Sequence, residues 1–228
     1  MALKATGETR MEPIDRADDG VGWMAHPDES MRRASHAVVG DDGGVWVFDP
    51  VDADGVDDLL ADYGEVAGVV LGLDRHERDA TQVARRHDVA VHVPSWMTGV
   101  AEDAAVPVER FDESPGESGI RAVEVRDSTL PPWQEAAYHH GASGTLYVPE
   151  AVGTAEFFRT DDERLGVHPM LRISPPRDAL SGLRPDRLVV GHGAGIATDA
   201  ANALRVALDG ARSGTLSLYL KNVGMLLP

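Results

Sequence analysis

The sequence predicts an α/β fold arranged as a four-layered αββα sandwich, and three observations lead to this prediction. Strand candidates joined by short turns lie between residues 23 and 48, and a three-layer α/β fold would have fewer hairpins in its first fifty residues. Residues 66–93 follow a strand–helix–strand order, which requires a crossover connection. A chain of 228 residues suits one substantial core, so we expect an irregular lead-in over residues 1–20 and a single domain over residues 21–228.

Hydrophobic periodicity places the elements of the first half. The turn Asp41-Asp42-Gly43-Gly44 supplies residues that accept positive φ, and Asp49-Pro50 ends the strand that follows it. Residues 66–73 form a nearly continuous apolar run, which is typical of a strand buried on both faces. Strands are predicted at 23–25, 37–39, 45–48, 66–73 and 89–93, and helices at 56–63 and 81–87.

The second half repeats the alternation of strands and helices. Strands are predicted at 106–111, 120–126, 136–139, 145–148 and 187–190, and helices at 154–159, 178–183 and 197–211. The apolar spacing of Ala197, Ala201, Leu204 and Leu208 gives the last helix one buried face. Residues 216–228 are apolar enough to dock on the body of the protein or on a second subunit, so a homo-oligomer formed through this tail is expected.

The charge balance restricts the classes of partner. Asp and Glu number 38 against 21 Lys and Arg, the formal net charge is −17, and Lys4 and Lys221 are the only lysines. Such a surface repels nucleic acid and anionic lipid, because phosphate binding requires clustered cations. A carboxylate-rich, lysine-poor surface is favoured in concentrated salt, where self-repulsion is screened. We therefore predict a halophilic, acidic protein that binds a small molecule and neither nucleic acid nor membrane.

Other chemistry is limited by residues that the sequence lacks. There is no cysteine, which excludes disulfides, thiol nucleophiles and thiolate metal ligands. No apolar run approaches the ~18 residues that span a bilayer. Residues 1–10 are polar and lack the apolar segment of a secretion signal. A cytoplasmic location is expected.

Candidate site residues follow three predicted strands. The segment Asp74-Arg75-His76-Glu77-Arg78-Asp79 comes after the buried strand at 66–73. Pro149-Glu150 follows the strand at 145–148, and Gly191-His192-Gly193 follows the strand at 187–190. Side chains at the carboxyl ends of strands are the usual site residues of α/β folds.

The order and spacing of these motifs resemble the metallo-β-lactamase superfamily over residues 23–211. That superfamily carries His-x-His-x-Asp-His after a hairpin, a bridging aspartate after a later strand, and a final Gly-His-Gly. The resemblance implies that His76 and His192 are retained histidines and that Glu150 takes the place of the bridging aspartate. It also places Asp74 and Asp79 at the first and last histidine positions of the first motif.

The resemblance implies a metal site built from carboxylates and imidazoles. The implied ligands are Asp74, His76, Asp79, Glu150 and His192. They suit one divalent ion, either zinc, manganese or iron. Arg78 stands where the family has an aspartate ligand, so the alternative is a metal-free cluster in which Arg78 pairs with Asp74 and Asp79. No histidine stands at the family's third motif, where Glu135 is a candidate substitute.

Two functions are consistent with these motifs. The first is a metal-dependent hydrolase of an ester, thioester, lactone or phosphoester with an altered metal site. The second is a non-catalytic member of the same fold that acts as a ligand-binding or interaction module. A third, metal-free catalyst would use His76 or His192 as a general base, but the sequence shows no nucleophile for it. The sequence assigns no catalytic residue.

Overall fold

The computed structural model describes residues 3–100 and 105–226, with side chains described up to residue 223. Its larger sheet has seven strands in chain order. The first four strands pair antiparallel, and β4 to β7 pair parallel. The strands are β1 (Glu12–Ala17), β2 (Gly20–Met24), β3 (Ser35–Val39), β4 (Val45–Phe48), β5 (Val66–Val70), β6 (Val91–Pro94) and β7 (Val108–Phe111).

A second sheet of four strands has the order β13-β10-β9-β8. Its strands are β8 (Ile120–Thr129), β9 (Pro132–His140), β10 (Thr145–Val148) and β13 (Arg187–Val190). β10 and β13 are parallel neighbours, so their carboxyl ends lie side by side. A short pair, β11 (Val152–Gly153) with β12 (Gly166–Val167), lies between them in sequence.

Helices cover the outer faces of both sheets. They are α1 (Val56–Ala61), α2 (Ala80–His87), α3 (Arg177–Leu180), α4 (Ala200–Gly210) and α5 (Thr215–Leu226), with a 3₁₀ turn at Pro169–Leu171. α1 and α2 pack on the larger sheet through residues such as Leu60 and Val83. α4 packs on the smaller sheet through Leu204 and Leu208.

The two sheets face each other across an aromatic layer. The ring of Phe48 on β4 lies 5.1 Å from that of Tyr138 on β9 and 5.3 Å from that of Tyr147 on β10. With helices outside both sheets, this contact confirms the predicted four-layered αββα sandwich. Among the described helices, none has both the length and the apolar character that a bilayer span requires.

Two predicted elements are wrong. The irregular lead-in extends only to residue 11, because Glu12–Ala17 pairs with β2 as an edge strand. The predicted helix at 154–159 does not form: the amides of Thr154 and Ala155 both donate to the carbonyl of His192, which holds this segment in a turn. The tail that the sequence predicts to dock on the body or on a second subunit lies mostly in α5, and residues 227–228 lie outside the described residues.

Candidate metal centre

Three of the predicted site residues meet between the two sheets. His76 lies in the loop after β5, Glu150 two residues after β10, and His192 two residues after β13. Their exposed fractions are 4%, 7% and 0%. Within the part of the chain that the structure describes, they form the group whose ligand atoms all lie within 4.8 Å of one another.

The Glu150 carboxylate is the centre of this group. Its Oε2 atom lies 2.9 Å from Nε2 of His76 and 3.0 Å from Nε2 of His192. Although burial opposes ionisation, hydrogen bonds and charge from protonated rings of His192 and His76 would hold the pKa of Glu150 well below its usual value when no metal ion is bound. Burial lowers the pKa of His192, and Glu150 only partly offsets this effect.

The other ring nitrogen of each histidine has an acceptor of its own. Nδ1 of His192 lies 2.9 Å from the carbonyl oxygen of Met31, and Nδ1 of His76 lies 3.3 Å from Oδ2 of Asp49. Both partners of each ring are acceptors, so a neutral ring can donate to only one of them. In the tautomer that a metal-ligating histidine needs, the proton is on Nδ1 and is donated to Met31 or Asp49. The Nε2 lone pairs then point at Glu150.

The result is a convergence of three acceptors. In this tautomer, two imidazole lone pairs and one carboxylate oxygen face a common point with no proton between them. Buried acceptors that face each other in this way are stabilised by a bound cation. Two imidazoles and a carboxylate are also a donor set that zinc accepts. The residues present therefore fit a single divalent ion.

Asp49 supports His76 and was missed as a site residue by the sequence analysis, which used it only as the end of a strand. It is fully buried with φ of 45°. Its carboxylate accepts from the Gly72 amide at 2.9 Å and from the Tyr147 hydroxyl at 2.6 Å, as well as from His76. Despite burial, the neighbouring His76 and Arg78 lower the pKa of Asp49. A buried carboxylate behind a ligand histidine fixes the orientation of its ring.

His168 is a second residue that sequence reasoning missed. Its Nδ1 accepts from the Met170 amide at 3.2 Å, so Nε2 carries the proton and points at Oε1 of Glu150, 3.5 Å away. Its ring packs against Trp133 and Phe158. Burial lowers the pKa of His168 to about 4, which keeps the ring neutral. In the sequence, His168 is marked only by the short segment Leu165-Gly166-Val167 before it. The strand there, β12, has only two residues, which is too short for a sequence pattern to predict.

Glu135 does not join the three acceptors as a substitute ligand. Its Oε1 accepts from the amides of Glu150 and Ala151 at 2.8 and 2.7 Å, and its Oε2 accepts from the Trp133 indole at 2.8 Å. Burial raises the pKa of Glu135 to about 7. The side chain therefore positions the backbone that carries Glu150.

Asp74 and Asp79 require a correction, because neither lies with the other three predicted ligands. The loop after β5 turns sharply, with the His76 amide donating to the Leu73 carbonyl, so that the His76 side chain faces Glu150 and the carboxylates of Asp74 and Asp79 do not. The Asp74 amide donates to Gln134 on β9, and the Asp74 carboxylate lies beside Arg75. Asp79 precedes α2, and its carboxylate accepts from the Asp52 amide at 2.8 Å.

Arg78 also differs from its predicted role. Instead of pairing with Asp74 and Asp79, its guanidinium donates to the carbonyls of Ala34 and Asp49, both at 2.8 Å, and to that of Gly191 at 3.4 Å. Arg78 therefore ties the ends of β4 and β13 together, and its charge adds to the effect of burial in lowering the pKa of His192.

The centre is covered from outside by apolar side chains. Phe158 stacks on the His192 ring, with centroids 5.0 Å apart and planes 29° apart. Phe158 also packs with Met31 and Ala155 in a small apolar cluster. The described conformation therefore closes the centre to solvent.

No protein-family model matches the sequence, and no curated protein matches it. Several solved structures do match this chain. A putative diflavin flavoprotein from Nostoc sp. PCC 7120 has a TM-score of 0.61 at 12% identity, covering 92% of this chain and 100% of its own. The DIM-1 metallo-β-lactamase has a TM-score of 0.56 with the same identity and coverage. The TMB-1 structure has a TM-score of 0.57 at 12% identity, with 90% and 99% covered. The chain has the metallo-β-lactamase fold.

Proposed function

We propose that this metallo-β-lactamase-fold protein binds one divalent metal ion through His76, Glu150 and His192 and hydrolyses an ester, thioester, lactone or phosphoester of a small molecule. The observation that carries the proposal is the convergence of Nε2 of His76 and Nε2 of His192 on Oε2 of Glu150, with a separate acceptor beside each Nδ1. Zinc, manganese and iron all accept such ligands.

The chain's own residues hold the ligands in place. Asp49 orients His76, the Met31 carbonyl orients His192, and His168 faces the second oxygen of Glu150. A bound ion would supply Lewis acidity and an ionised water at neutral pH. The apolar cover from Phe158 and Met31 would exclude bulk solvent, so substrate entry would require this cover to move.

A second candidate function is a non-catalytic module of the same fold. The burial of the three ligand residues favours it, because a catalytic metal needs an open coordination position whereas a structural metal is enclosed by protein. In that case the ion would stabilise the fold, and binding to another molecule would take place elsewhere on the surface.

Both candidate functions assume that the protein binds a metal ion, and metal analysis tests this assumption. We expect about one equivalent of a transition metal in protein purified without chelator, and less than roughly a tenth of an equivalent in Glu150→Gln, since a neutral amide replaces the anionic oxygen ligand. Asp79→Asn is the matched control, because this carboxylate lies outside the centre. Wild-type protein that takes up no transition metal would overturn the proposal.

Activity then separates the two candidates. Metal-loaded wild-type protein is compared with Glu150→Gln on chromogenic esters, thioesters, lactones and phosphoesters. A hydrolase would exceed the variant by at least roughly 10²-fold on one of these classes, since a bound ion would lower the pKa of the attacking water. Equal rates in a protein that does hold the metal would support the non-catalytic module instead.

A further inference from the structure

Six large apolar side chains lie exposed at one corner of the molecule, and each is at least 46% exposed. Four project from one face of α5, at the spacing of neighbouring helical turns. Two come from the 3₁₀ turn and the segment after it, which α5 contacts: the Tyr219 hydroxyl donates to the Pro169 carbonyl at 3.3 Å. We call this set the α5 patch; its members are Met170, Ile173, Leu216, Tyr219, Leu220 and Val223.

The α5 patch differs in charge from the rest of the chain. The formal net charge is −17, yet Thr215–Leu226 contains no Asp or Glu. Its one cation, Lys221, is paired with Asp161 at 2.8 Å. Nearby Arg212 donates through Nε to the Ile173 carbonyl. The α5 patch is therefore apolar, with its flanking cations already bound within the same chain.

This combination limits what can cover the α5 patch. A basic partner would be drawn to the acidic remainder of the surface, and an anionic membrane would be repelled by it. The occupant must instead offer an apolar face that brings no carboxylate into the contact. A second copy of the same patch meets this requirement, since a two-fold contact places identical surfaces against each other.

We infer that the α5 patch is the interface of a homodimer of this chain. Contiguous exposed apolar patches of this kind mark interaction surfaces in soluble proteins. Because the contact is apolar and the remainder of each copy is strongly negative, salt should strengthen the dimer by screening repulsion between the copies. A contact held by opposite charges would weaken with salt instead.

Sedimentation equilibrium over a range of protein concentrations tests this inference. We expect a dimer whose dissociation constant falls at least roughly tenfold between dilute and molar KCl. Leu220→Asp should raise the dissociation constant by roughly 30-fold or more, the effect of a central interface side chain. Leu130→Asp is the matched control, because Leu130 is 89% exposed at the turn between β8 and β9, outside the α5 patch.

Three results would overturn the inference. These are a monomer at all concentrations and salt levels, a dimer that Leu220→Asp leaves intact, and a dimer that salt dissociates. Far-ultraviolet circular dichroism and the melting temperature of Leu220→Asp verify that the variant is folded. Leu216→Asp provides a second substitution in the α5 patch.

Discussion

Asp49 joins the hairpin to the proposed centre, because its carboxylate accepts from both Tyr147 and His76. Asp49→Asn keeps the shape but presents an amide, which no longer accepts equally from both donors and loses the negative charge behind the ring. We expect metal affinity to fall about 10–100-fold, as for other residues that orient a ligand. Competition with a chromogenic chelator measures the change, and Asp41→Asn on the exposed turn should leave affinity unaltered.

Glu135 gives a prediction about pH. Its pKa is raised by burial to about 7 from an ordinary 4.5, so the folded state favours the protonated carboxyl. Protonation of Glu135 therefore stabilises the folded state by at most about 3 kcal/mol. This stabilisation is fully present below about pH 4.5 and is lost as pH rises through 7. His168 acts in the opposite sense, because its lowered pKa gives stability that is lost as pH falls from 6.5 to about 4.

A comparison of the wild type with Glu135→Gln separates the effect of Glu135 on stability from that of His168. Melting temperatures of wild type and Glu135→Gln are compared between pH 4.5 and 7.5. Relative to the variant, the wild type should lose stability as pH increases. A constant difference across this range would show that Glu135 does not change its protonation there.

The sequence alone predicted some of the site residues and missed others. His76, Glu150 and His192 were predictable because each follows a strand whose apolar run is plain in the sequence. Asp74 and Asp79 were misplaced because only the local turn decides which side chain of that loop faces inward. Asp49 and His168 were missed because their roles depend on contacts with residues far along the chain.

Among the elements, the loops after β10 and β13 must approach closely to bring Glu150 and His192 together. A Cβ on Gly191 would collide with the carbonyl oxygen of Pro149. We expect Gly191→Ala to cost about 1–3 kcal/mol of stability, in the range of overpacked sites. Chemical denaturation measures this cost, and the same variant should bind metal more weakly.

Gly182→Ala is the matched control for that substitution. No atom lies within 4 Å of the position its Cβ would take, and its φ is not in the left-handed region. Its stability should match the wild type or rise slightly. Equal stabilities for the two variants would show that the loops do not need this close approach.

Strands and helices were predictable to different degrees. The strands at 45–48 and 145–148 agree with β4 and β10 because their apolar runs are bounded by turn residues. At 154–159 the chain forms a turn instead of a helix: the Phe158 amide donates to the Ala155 carbonyl, and the amides of Thr154 and Ala155 bind the His192 carbonyl, a partner about forty residues away that no local pattern reveals. β1 was missed because an exposed edge strand carries little apolar alternation.

For the whole molecule, the net charge of −17 leads to a prediction about salt. Carboxylate repulsion destabilises the folded state in dilute buffer and is screened by added ions. We expect the melting temperature to rise by at least a few degrees, about 1 kcal/mol or more of stability, between dilute and molar KCl. A midpoint that stays constant or falls would argue against the predicted salt adaptation.

The central claim, that His76, Glu150 and His192 hold one metal ion, is tested most directly by anomalous diffraction from a crystal grown with zinc. We predict a single strong peak about 2.0–2.2 Å from both Nε2 atoms and from a Glu150 oxygen. A structure in which Oε2 of Glu150 stays about 3 Å from Nε2 of both rings with no metal between them, and zinc binds only to surface carboxylates, would contradict the claim.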